Sequence, residues 1–424
     1  MGLKLAVIGG GSTYTPELVD GFARRVDRVR IDEIALLDVD VERLAIVGGL
    51  AERMLARQGW PGRVLQTTDP DAAIDGADVV LIQLRVGGQQ ARFGDETLPP
   101  RFGLIGQETV GAGGFAKALR TVPVVLGLAD AVERRSAAGA WIVDFTNPVG
   151  IISQALSDAG HRSIGLCNVA IGFQRRFAAR FGVEPERVVL EQVGLNHLTW
   201  IRAVRVDGVD RLPEILAEDG EELAHDVNLP IERLTTDGVI PSYYLRYYND
   251  EARVVAEARA HPTRAEEVIA IEHELLELYK DATLDVKPEL LEHRGGAFYS
   301  EAAAQLIASL QDGRGDVQVV DVRNDGTLPG LADDDIVEVP ARIDRDGAHP
   351  IKQASLSEAQ ADLVHRVKRF ERLTIEAART GDRDVARRAL AANPLAGGPA
   401  MATELLEAIL TANRQWLPRF FPDG

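Results

Sequence analysis

The fold is indicated near the start of the chain by the stretch Leu3-Lys4-Leu5-Ala6-Val7-Ile8-Gly9-Gly10-Gly11-Ser12-Thr13-Tyr14. An apolar run passes directly into three glycines, and Thr15-Pro16-Glu17 then opens a helical pattern with an N-cap and a proline at its first position. Glycines place no side chain in the way of a pyrophosphate, and a helix N-terminus offers unpaired N–H groups. The stretch therefore predicts a strand, a dinucleotide-binding turn and a helix.

An acidic residue ends the next predicted strand, Ile34–Leu37, and supports the same interpretation. The carboxylate of Asp38 is placed to accept hydrogen bonds from a ribose 2′-hydroxyl, which favours NAD over NADP. The fingerprint departs from the usual one, because Tyr14 stands where a third glycine is common and Asp38 comes slightly late. The residues expected to bind the cofactor are Gly9, Gly10, Gly11, Ser12, Thr13 and Asp38.

Strands and helices continue to alternate along the first half of the chain. Apolar runs typical of buried parallel strands occur at Val64–Thr67, Val79–Leu84, Trp141–Phe145 and Ser163–Leu166. This order predicts an α/β fold with a Rossmann-like, doubly wound parallel sheet. In such sheets ligands bind beyond the carboxyl ends of the strands, which selects Arg85, Asn147, Cys167 and Asn168 as site candidates.

A glycine-rich segment with one carboxylate, Glu108, covers residues 106–114. We expect a loop there, which either closes over a ligand or simply connects two elements.

The pattern changes after Leu195. A strand is expected at Thr199–Val206, a hairpin turn at Asp207-Gly208, and long amphipathic helices at Glu266–Lys280 and Ala359–Ala378. We therefore expect two domains. Residues 1–190 form an NAD-binding Rossmann-like domain, and residues 191–424 form an α+β domain for catalysis, substrate binding and oligomerisation.

Cys167 and His197 are candidate ligands for a metal ion. Cys167 is the only cysteine in the chain, and both residues follow short apolar runs. A thiolate and an imidazole can hold one divalent ion with open positions, as a catalytic site requires. The alternative is that Cys167 is a small buried apolar residue and His197 a hydrogen-bonded core residue. Residues 241–248 contain four of the seven tyrosines, a cluster that is more often packing than chemistry.

Composition limits the possible partners. A net charge of −18 argues against binding nucleic acid or an anionic membrane surface. No apolar run approaches the ~20 residues of a membrane span, and the N-terminus lacks the layout of a signal peptide. One cysteine forms no internal disulfide, so a cytoplasmic protein is expected.

Taken together, these motifs resemble glycoside hydrolase family four, the NAD- and metal-dependent glycosidases, and within it the 6-phospho-β-glucosidases. The resemblance runs along nearly the whole chain and implies an architecture similar to lactate and malate dehydrogenases. It rests on Val7-Ile8-Gly9-Gly10-Gly11-Ser12-Thr13, Gly106-Gln107-Glu108-Thr109, Asp144-Phe145-Thr146-Asn147-Pro148, Gly165-Leu166-Cys167-Asn168, Gly194-Leu195-Asn196-His197 and Pro241-Ser242-Tyr243-Tyr244-Leu245-Arg246-Tyr247-Tyr248.

The resemblance also implies roles for individual residues. Cys167 and His197 would bind a divalent metal, typically Mn²⁺, and Tyr244 would be the catalytic base, its basicity raised by Glu108. The residues expected to bind substrate are Arg92, Asn147, Asn168 and Arg264. Arg85, Arg92 and Arg264 are the candidates for holding a phosphate group. Ala170 replaces a proline that is common in the family.

The implied reaction is the hydrolysis of 6-phospho-β-glucosides by oxidation at C3 with NAD, removal of the C2 proton, elimination of the aglycone and addition of water. Homodimers or homotetramers are expected by the same resemblance. Several alternatives remain open at this point: a 6-phospho-α-glucosidase or α-galactosidase of the same family, a 2-hydroxy-acid dehydrogenase, or an inactive sugar-phosphate sensor that retains NAD. The base could also be Tyr243 or Tyr247.

Overall fold

One mixed sheet forms the framework of the molecule. The structure is a computed structural model that describes residues 2–296 and 298–422, and the sheet within them has 13 strands. The strands are β1 (Leu3–Ile8), β2 (Ile31–Leu37), β3 (Arg63–Thr67), β4 (Val79–Ile82), β5 (Trp141–Asp144), β6 (Ser163–Gly165), β7 (Val188–Leu195), β8 (Leu198–Val206), β9 (Val209–Asp210), β10 (Ile240–Pro241), β11 (Asp316–Arg323), β12 (Ile336–Asp344) and β13 (Gly347–Pro350).

The first six strands are parallel and lie in the order β3-β2-β1-β4-β5-β6. This is the strand order of doubly wound dinucleotide-binding folds. Apolar side chains of β1 alternate between two cores, with Leu5 and Val7 on one face and Ala6 and Ile8 on the other. Helices cover both faces, so the predicted fold class is confirmed.

An antiparallel extension continues the same sheet beyond β6. Strand β11 pairs with β6 at Asp321 and Gly165, and β12, β7, β8 and β10 follow in that order. The short strands β9 and β13 pair with β8 and β12. Only β8 and its hairpin turn were expected from the sequence. Residue 190 lies inside β7, and the division of roles near that residue stays a prediction.

Seventeen α-helices are present in the described part of the chain: α1 (Thr15–Ala23), α2 (Val41–Arg57), α3 (Pro70–Ile74), α4 (Gly88–Thr97), α5 (Gly111–Arg135), α6 (Val149–Asp158), α7 (Asn168–Phe181), α8 (Leu212–Val227), α9 (Ile231–Thr235), α10 (Arg246–Asn249), α11 (Glu251–Ala260), α12 (Arg264–Tyr279), α13 (Leu291–Arg294), α14 (Tyr299–Asp312), α15 (Glu358–Thr380), α16 (Arg383–Ala392) and α17 (Ala402–Ala412). Helix α15, late in the chain, returns to pack against α5 and α6 of the first half. No described helix combines the length and apolar character that crossing a membrane requires.

Two local expectations were wrong. The glycine-rich loop ends at Val110, because Gly111 to Gly114 form the first turn of α5. A Cβ on Gly113 would lie 2.2 Å from the carbonyl oxygen of Gln107, so this glycine allows the turn to pack tightly against the preceding segment. The sequence placed the N-cap of α1 at Thr15, directly before Pro16. In the structure Thr15 is already helical, and Tyr14 is the N-cap residue, without a side-chain hydrogen bond.

Candidate active site

A cleft of about 830 Å³ opens at the carboxyl ends of the parallel strands. Gly9 after β1, Asp38 after β2, Arg85 after β4 and Asn147 after β5 all line it. The cleft therefore brings together three of the six predicted cofactor residues, Gly9, Ser12 and Asp38, and one predicted substrate residue, Asn147. It lies in the place where this class of sheet binds ligands.

The glycine turn and Asp38 form one end of the cleft. The backbone N–H of Gly11 donates to Asp38 Oδ2 over 2.9 Å, and the N–H of Asp40 donates to Oδ1 over 3.1 Å. A Cβ on Gly10 would lie 2.8 Å from the Cβ of Leu36, so the turn can approach β2 only without a side chain at this position. Asp38 is thus held at the strand end that the sequence predicted.

Glu108 lies in a cluster with three cations, Arg85, Arg92 and Lys117. A second buried carboxylate, Glu96, accepts from Arg92 Nε over 2.8 Å. Lys117 Nζ donates to Glu108 over 2.7 Å, Arg92 Nε lies 3.3 Å from the same carboxylate, and Arg85 forms two hydrogen bonds with it. Although burial acts in the opposite direction, these positive charges hold the pKa of Glu108 well below its usual value. Burial and the neighbouring Arg85 lower the pKa of Lys117 to about 7, against the attraction of Glu108. The cluster carries excess positive charge when Lys117 is protonated.

The predicted substrate residues occupy different surroundings. Asn147 lines the cleft, and its buried Oδ1 has no hydrogen-bond partner, so it is available to accept one. Asn168 is the first residue of α7 and is half-buried. Arg264 donates to Glu267 over 2.8 Å and to the carbonyl of His293 over 2.7 Å, and it is not among the described residues that line the cleft. The structure therefore brings Asn147 to the cleft but not Arg264.

Cys167 follows β6 and is the N-cap residue of α7. Its side chain is buried. Burial raises the pKa of this thiol well above its usual value, the carboxylates of Glu338 and Asp321 add to the effect, and the side chain of Asn196 opposes it by hydrogen bonding. Asn196 directly precedes His197, so the two predicted metal ligands come from neighbouring segments.

His197 lies in the two-residue turn between β7 and β8 and has a left-handed backbone with φ of 62°. Its ring stacks on Tyr244, with centroids 3.6 Å apart and planes inclined by 10°. The hairpin register explains the contact, because β10 pairs with the start of β8 and the N–H of Ser242 donates to the carbonyl of Thr199 over 2.8 Å. Burial lowers the pKa of His197 to about 3, so its imidazole is neutral near pH 7.

Tyr299 connects this group to the cleft, which it lines. Burial raises the pKa of Tyr299 well above the usual value, and negative charge on Cys167 or Tyr244 would raise it further. Cys167, His197 and Tyr244 themselves are not among the described residues that line the cleft. Cys167 instead borders a separate small pocket, together with Ile171 of α7 and Val319 of β11.

The donor set fits a divalent ion with open coordination positions. Across residues 2–296 and 298–422, no three His, Cys, Asp or Glu side chains come together as a complete ligand set. A neutral imidazole and a thiol that ionises on binding are suitable as two protein ligands, which leaves positions for substrate oxygens. As metal ligands, Cys167 and His197 would therefore suit an open site and not a closed structural one.

Several residues of the cleft were missed from the sequence. Lys117, Tyr299 and Trp416 line it, as do Glu272 on α12 and the two arginines that bind Glu272, Arg43 and Arg294. They come from elements far apart in sequence, and no local motif marks them.

The family is shown by comparison with known proteins. Residues 4–183 match the profile of family 4 glycosyl hydrolases, and residues 192–396 match that of the family 4 glycosyl hydrolase C-terminal domain. A probable 6-phospho-β-glucosidase of Bacillus subtilis is 40% identical over 99% of this chain and 98% of its own. The 6-phospho-β-glucosidase BglT of Thermotoga maritima is 39% identical over 98% of this chain and 99% of its own. A phospho-α-glucosidase of Clostridium acetobutylicum is 28% identical over 97% of this chain and 98% of its own.

Solved structures agree with these relationships. The Thermotoga maritima 6-phospho-β-glucosidase, solved with manganese, NAD⁺ and glucose-6-phosphate, superposes with a TM-score of 0.92 at 38% identity, over 98% of this chain and 99% of that one. A lactate dehydrogenase from a deep-sea metagenome, 14% identical, has a TM-score of 0.55 over 88% of this chain and 99% of its own, and shares the fold alone. With both halves matched and full-length relatives at about 40% identity, the chain belongs to glycoside hydrolase family 4.

Proposed function

We propose that this protein is a 6-phospho-β-glucosidase that uses NAD and a divalent metal, Mn²⁺ by preference. The observation that carries the proposal is the cleft that joins the glycine turn and Asp38 to Asn147. The stacked rings of His197 and Tyr244 support it, as does the electrostatic effect of Cys167 and Tyr244 on the cleft residue Tyr299. The β-specific relatives are more similar to this chain than the α-specific relative is, which favours the β-anomer.

Each residue has a defined task in this proposal. NAD, when bound, would supply a hydride acceptor for C3 of the sugar, and a divalent ion would supply a Lewis acid toward the sugar oxygens. Asp38 accepts hydrogen bonds from the ribose hydroxyls of the cofactor. Cys167 and His197 hold the ion. The thiolate favours softer metals than Mn²⁺, so oxygen ligands from the substrate would have to supply the difference.

Tyr244 removes the proton from C2, and the C1–O bond to the aglycone breaks as the aglycone leaves. Water then adds at C1 while a proton returns to C2, and return of the hydride to C3 would restore NAD, so that no net oxidation occurs. Glu108 acts on Tyr244 through its negative charge, which raises the pKa of the phenol, although burial raises it more. Asn147 offers its unpartnered Oδ1 to a sugar hydroxyl. Arg92, Asn168 and Arg264 are not among the described residues that line the cleft, and their substrate contacts stay predictions from the family resemblance. Tyr243 and Tyr247 stay as the alternative bases.

The wider setting is part of the proposal. Residues 1–190 would bind the dinucleotide, while residues 191–424 would supply the base, substrate contacts and the surface of a homodimer or homotetramer. The protein would act in the cytoplasm, without nucleic acid or membrane partners.

The test is turnover of p-nitrophenyl 6-phospho-β-D-glucoside, compared with its α-anomer and with the unphosphorylated glucoside. NAD, Mn²⁺ and reductant are present and are then omitted one at a time. We expect release of nitrophenol from the phosphorylated β-substrate only, with all three additions needed and without net NADH formation. Turnover of the α-anomer would indicate a 6-phospho-α-glucosidase, and net NADH from a hydroxy acid would indicate a dehydrogenase.

Trp416 offers a direct measure of cofactor binding. It lines the cleft beside Gly87, and the guanidinium of Arg120 lies 5.9 Å from its ring centroid. We expect NAD to change the fluorescence of the protein, and Trp416→Phe to remove most of the change at NAD concentrations that calorimetry shows to be saturating. The other three tryptophans serve as internal controls, and a full signal in the variant would contradict the placement of the cofactor.

A further inference from the structure

Glu272 of α12 holds two arginines over the glycine turn. Its buried carboxylate accepts from Arg43 Nη2 over 2.9 Å and from Arg294 Nη2 over 3.1 Å. It also accepts from Gln89 Nε2 over 2.9 Å and from the hydroxyl of Thr13 over 3.2 Å. One side chain of the second half thus organises residues from four separate elements beside the cleft.

Both arginines face the region where a phosphate would approach the turn. Arg43 Nε donates to the carbonyl of Gly11 over 2.7 Å, and Arg294 Nε donates to the Thr13 hydroxyl over 3.0 Å. Arg43 and Arg294 line the cleft together with Ser12. Their positions are therefore fixed before any ligand arrives, which lowers the entropy lost on binding.

The charges around Glu272 are not balanced. Burial favours its neutral form, but the positive charges of Arg294 and Arg43 outweigh burial and lower its pKa to about 2. A single carboxylate therefore faces two guanidinium groups, and one positive charge is left over. The side chains of Arg43 and Arg294 are only 28% and 19% exposed, so this charge is weakly screened by water.

We propose that Arg43 and Arg294 bind a phosphate group of a cleft ligand, through hydrogen bonds from guanidinium donors that Glu272 leaves free. The inference rests on the proposed function, which supplies two sources of this chemistry: the pyrophosphate of NAD and the 6-phosphate of the sugar. Guanidinium groups suit phosphate because two N–H groups can bind two oxygens at once. The anion would be held from both halves of the chain, by Arg43 on α2 and by Arg294 at the end of α13.

The experiment measures binding to the full-length protein by calorimetry. The ligands are NAD, ADP and adenosine for one source, and glucose 6-phosphate and glucose for the other. In the Arg294→Gln and Arg43→Gln variants we expect about 10- to 100-fold weaker binding of one set of phosphorylated ligands. That set is either NAD and ADP, or glucose 6-phosphate. Adenosine and glucose should bind as they do to the wild-type protein, because neither carries a phosphate.

Arg53→Gln is the matched control. Arg53 also lies on α2 and also joins the second half, donating to the carbonyls of Leu284 and Tyr279 over 2.7 and 2.9 Å. It is not among the described residues that line the cleft, so its replacement should leave all five affinities unchanged.

The outcomes separate the two proposals. Losses confined to NAD and ADP assign the arginines to the pyrophosphate, and losses confined to glucose 6-phosphate assign them to the sugar phosphate. Wild-type affinities in both variants, or equal losses with adenosine and glucose, would overturn the inference while the proposed function stands. A wild-type protein that binds neither NAD nor glucose 6-phosphate would overturn the proposed function and this inference with it.

Discussion

Replacing Tyr244 by phenylalanine should reduce kcat on p-nitrophenyl 6-phospho-β-D-glucoside by about 100- to 10,000-fold, the usual contribution of a general base. The substitution keeps the aromatic ring that stacks on His197 and removes only the hydroxyl. We therefore expect the variant to fold and to retain its affinity for NAD. The measurement is steady-state turnover, together with exchange of the C2 proton of the substrate with solvent deuterium, which should also be lost.

Tyr243→Phe and Tyr247→Phe are the controls for this assignment. The ring of Tyr243 lies 5.6 Å from that of Tyr244, and the ring of Tyr247 lies 6.1 Å from it, so all three belong to one cluster. Both control variants should retain most of the activity. If Tyr247→Phe caused the large loss and Tyr244→Phe did not, the base would be Tyr247.

The ionisation of Tyr244 links this result to the metal. Burial raises the pKa of its phenol well above the usual value, and ionisation of Cys167 would raise it further. The phenolate is therefore disfavoured by the protein alone, and positive charge beside Tyr244 is needed to form it. Loss of a metal ligand should thus remove both the Lewis acid and the base.

Replacing Cys167 by alanine should accordingly lower kcat by about 1,000-fold or more, the factor that ~4 kcal/mol of transition-state stabilisation corresponds to. Mn²⁺ binding, followed by electron paramagnetic resonance of the free ion, should be lost in the same variant. Chelation of the wild-type protein should abolish turnover, and Mn²⁺ with reductant should restore it.

His161 provides the matched control for the metal site. Its side chain is only 5% exposed and lies 3.3 Å from Asp130, and it is not among the described residues that line the cleft. His161→Ala should retain Mn²⁺ binding, whereas His197→Ala should lose it. Full activity in chelated wild-type protein, or Mn²⁺ binding by the Cys167→Ala variant, would exclude Cys167 as a metal ligand.

The parallel half of the fold was predictable because its signals are local. Most of its strands contain a short apolar run; the glycine turn follows β1, and Asp38 follows β2. Strands β11 and β12 were missed for a physical reason. They carry the buried carboxylates of Asp321 and Glu338, which resemble surface residues in the sequence, and β11 pairs with β6 from about 150 residues away.

The candidate site was predictable to a similar degree. Cys167, Asn147 and Asp38 follow strand ends, where position alone predicts a role. Glu272 and Arg294 belong to helices with ordinary polar surfaces, and only the fold brings them to the glycine turn. The pairing of β10 with β8 brings Tyr244 to His197. The sequence of neither segment by itself predicts this pairing.

The continuous sheet has a consequence for how this protein can change during evolution. Strand β6 of the first half takes β11 of the second half as its neighbour, and α15 returns to cover α5 and α6. Separating the halves would leave the backbone groups of a strand edge unpaired and uncover apolar side chains. The two halves are therefore not interchangeable modules. A new substrate preference can be acquired by substitution within the shared cleft, but not by recombining one half with a foreign partner.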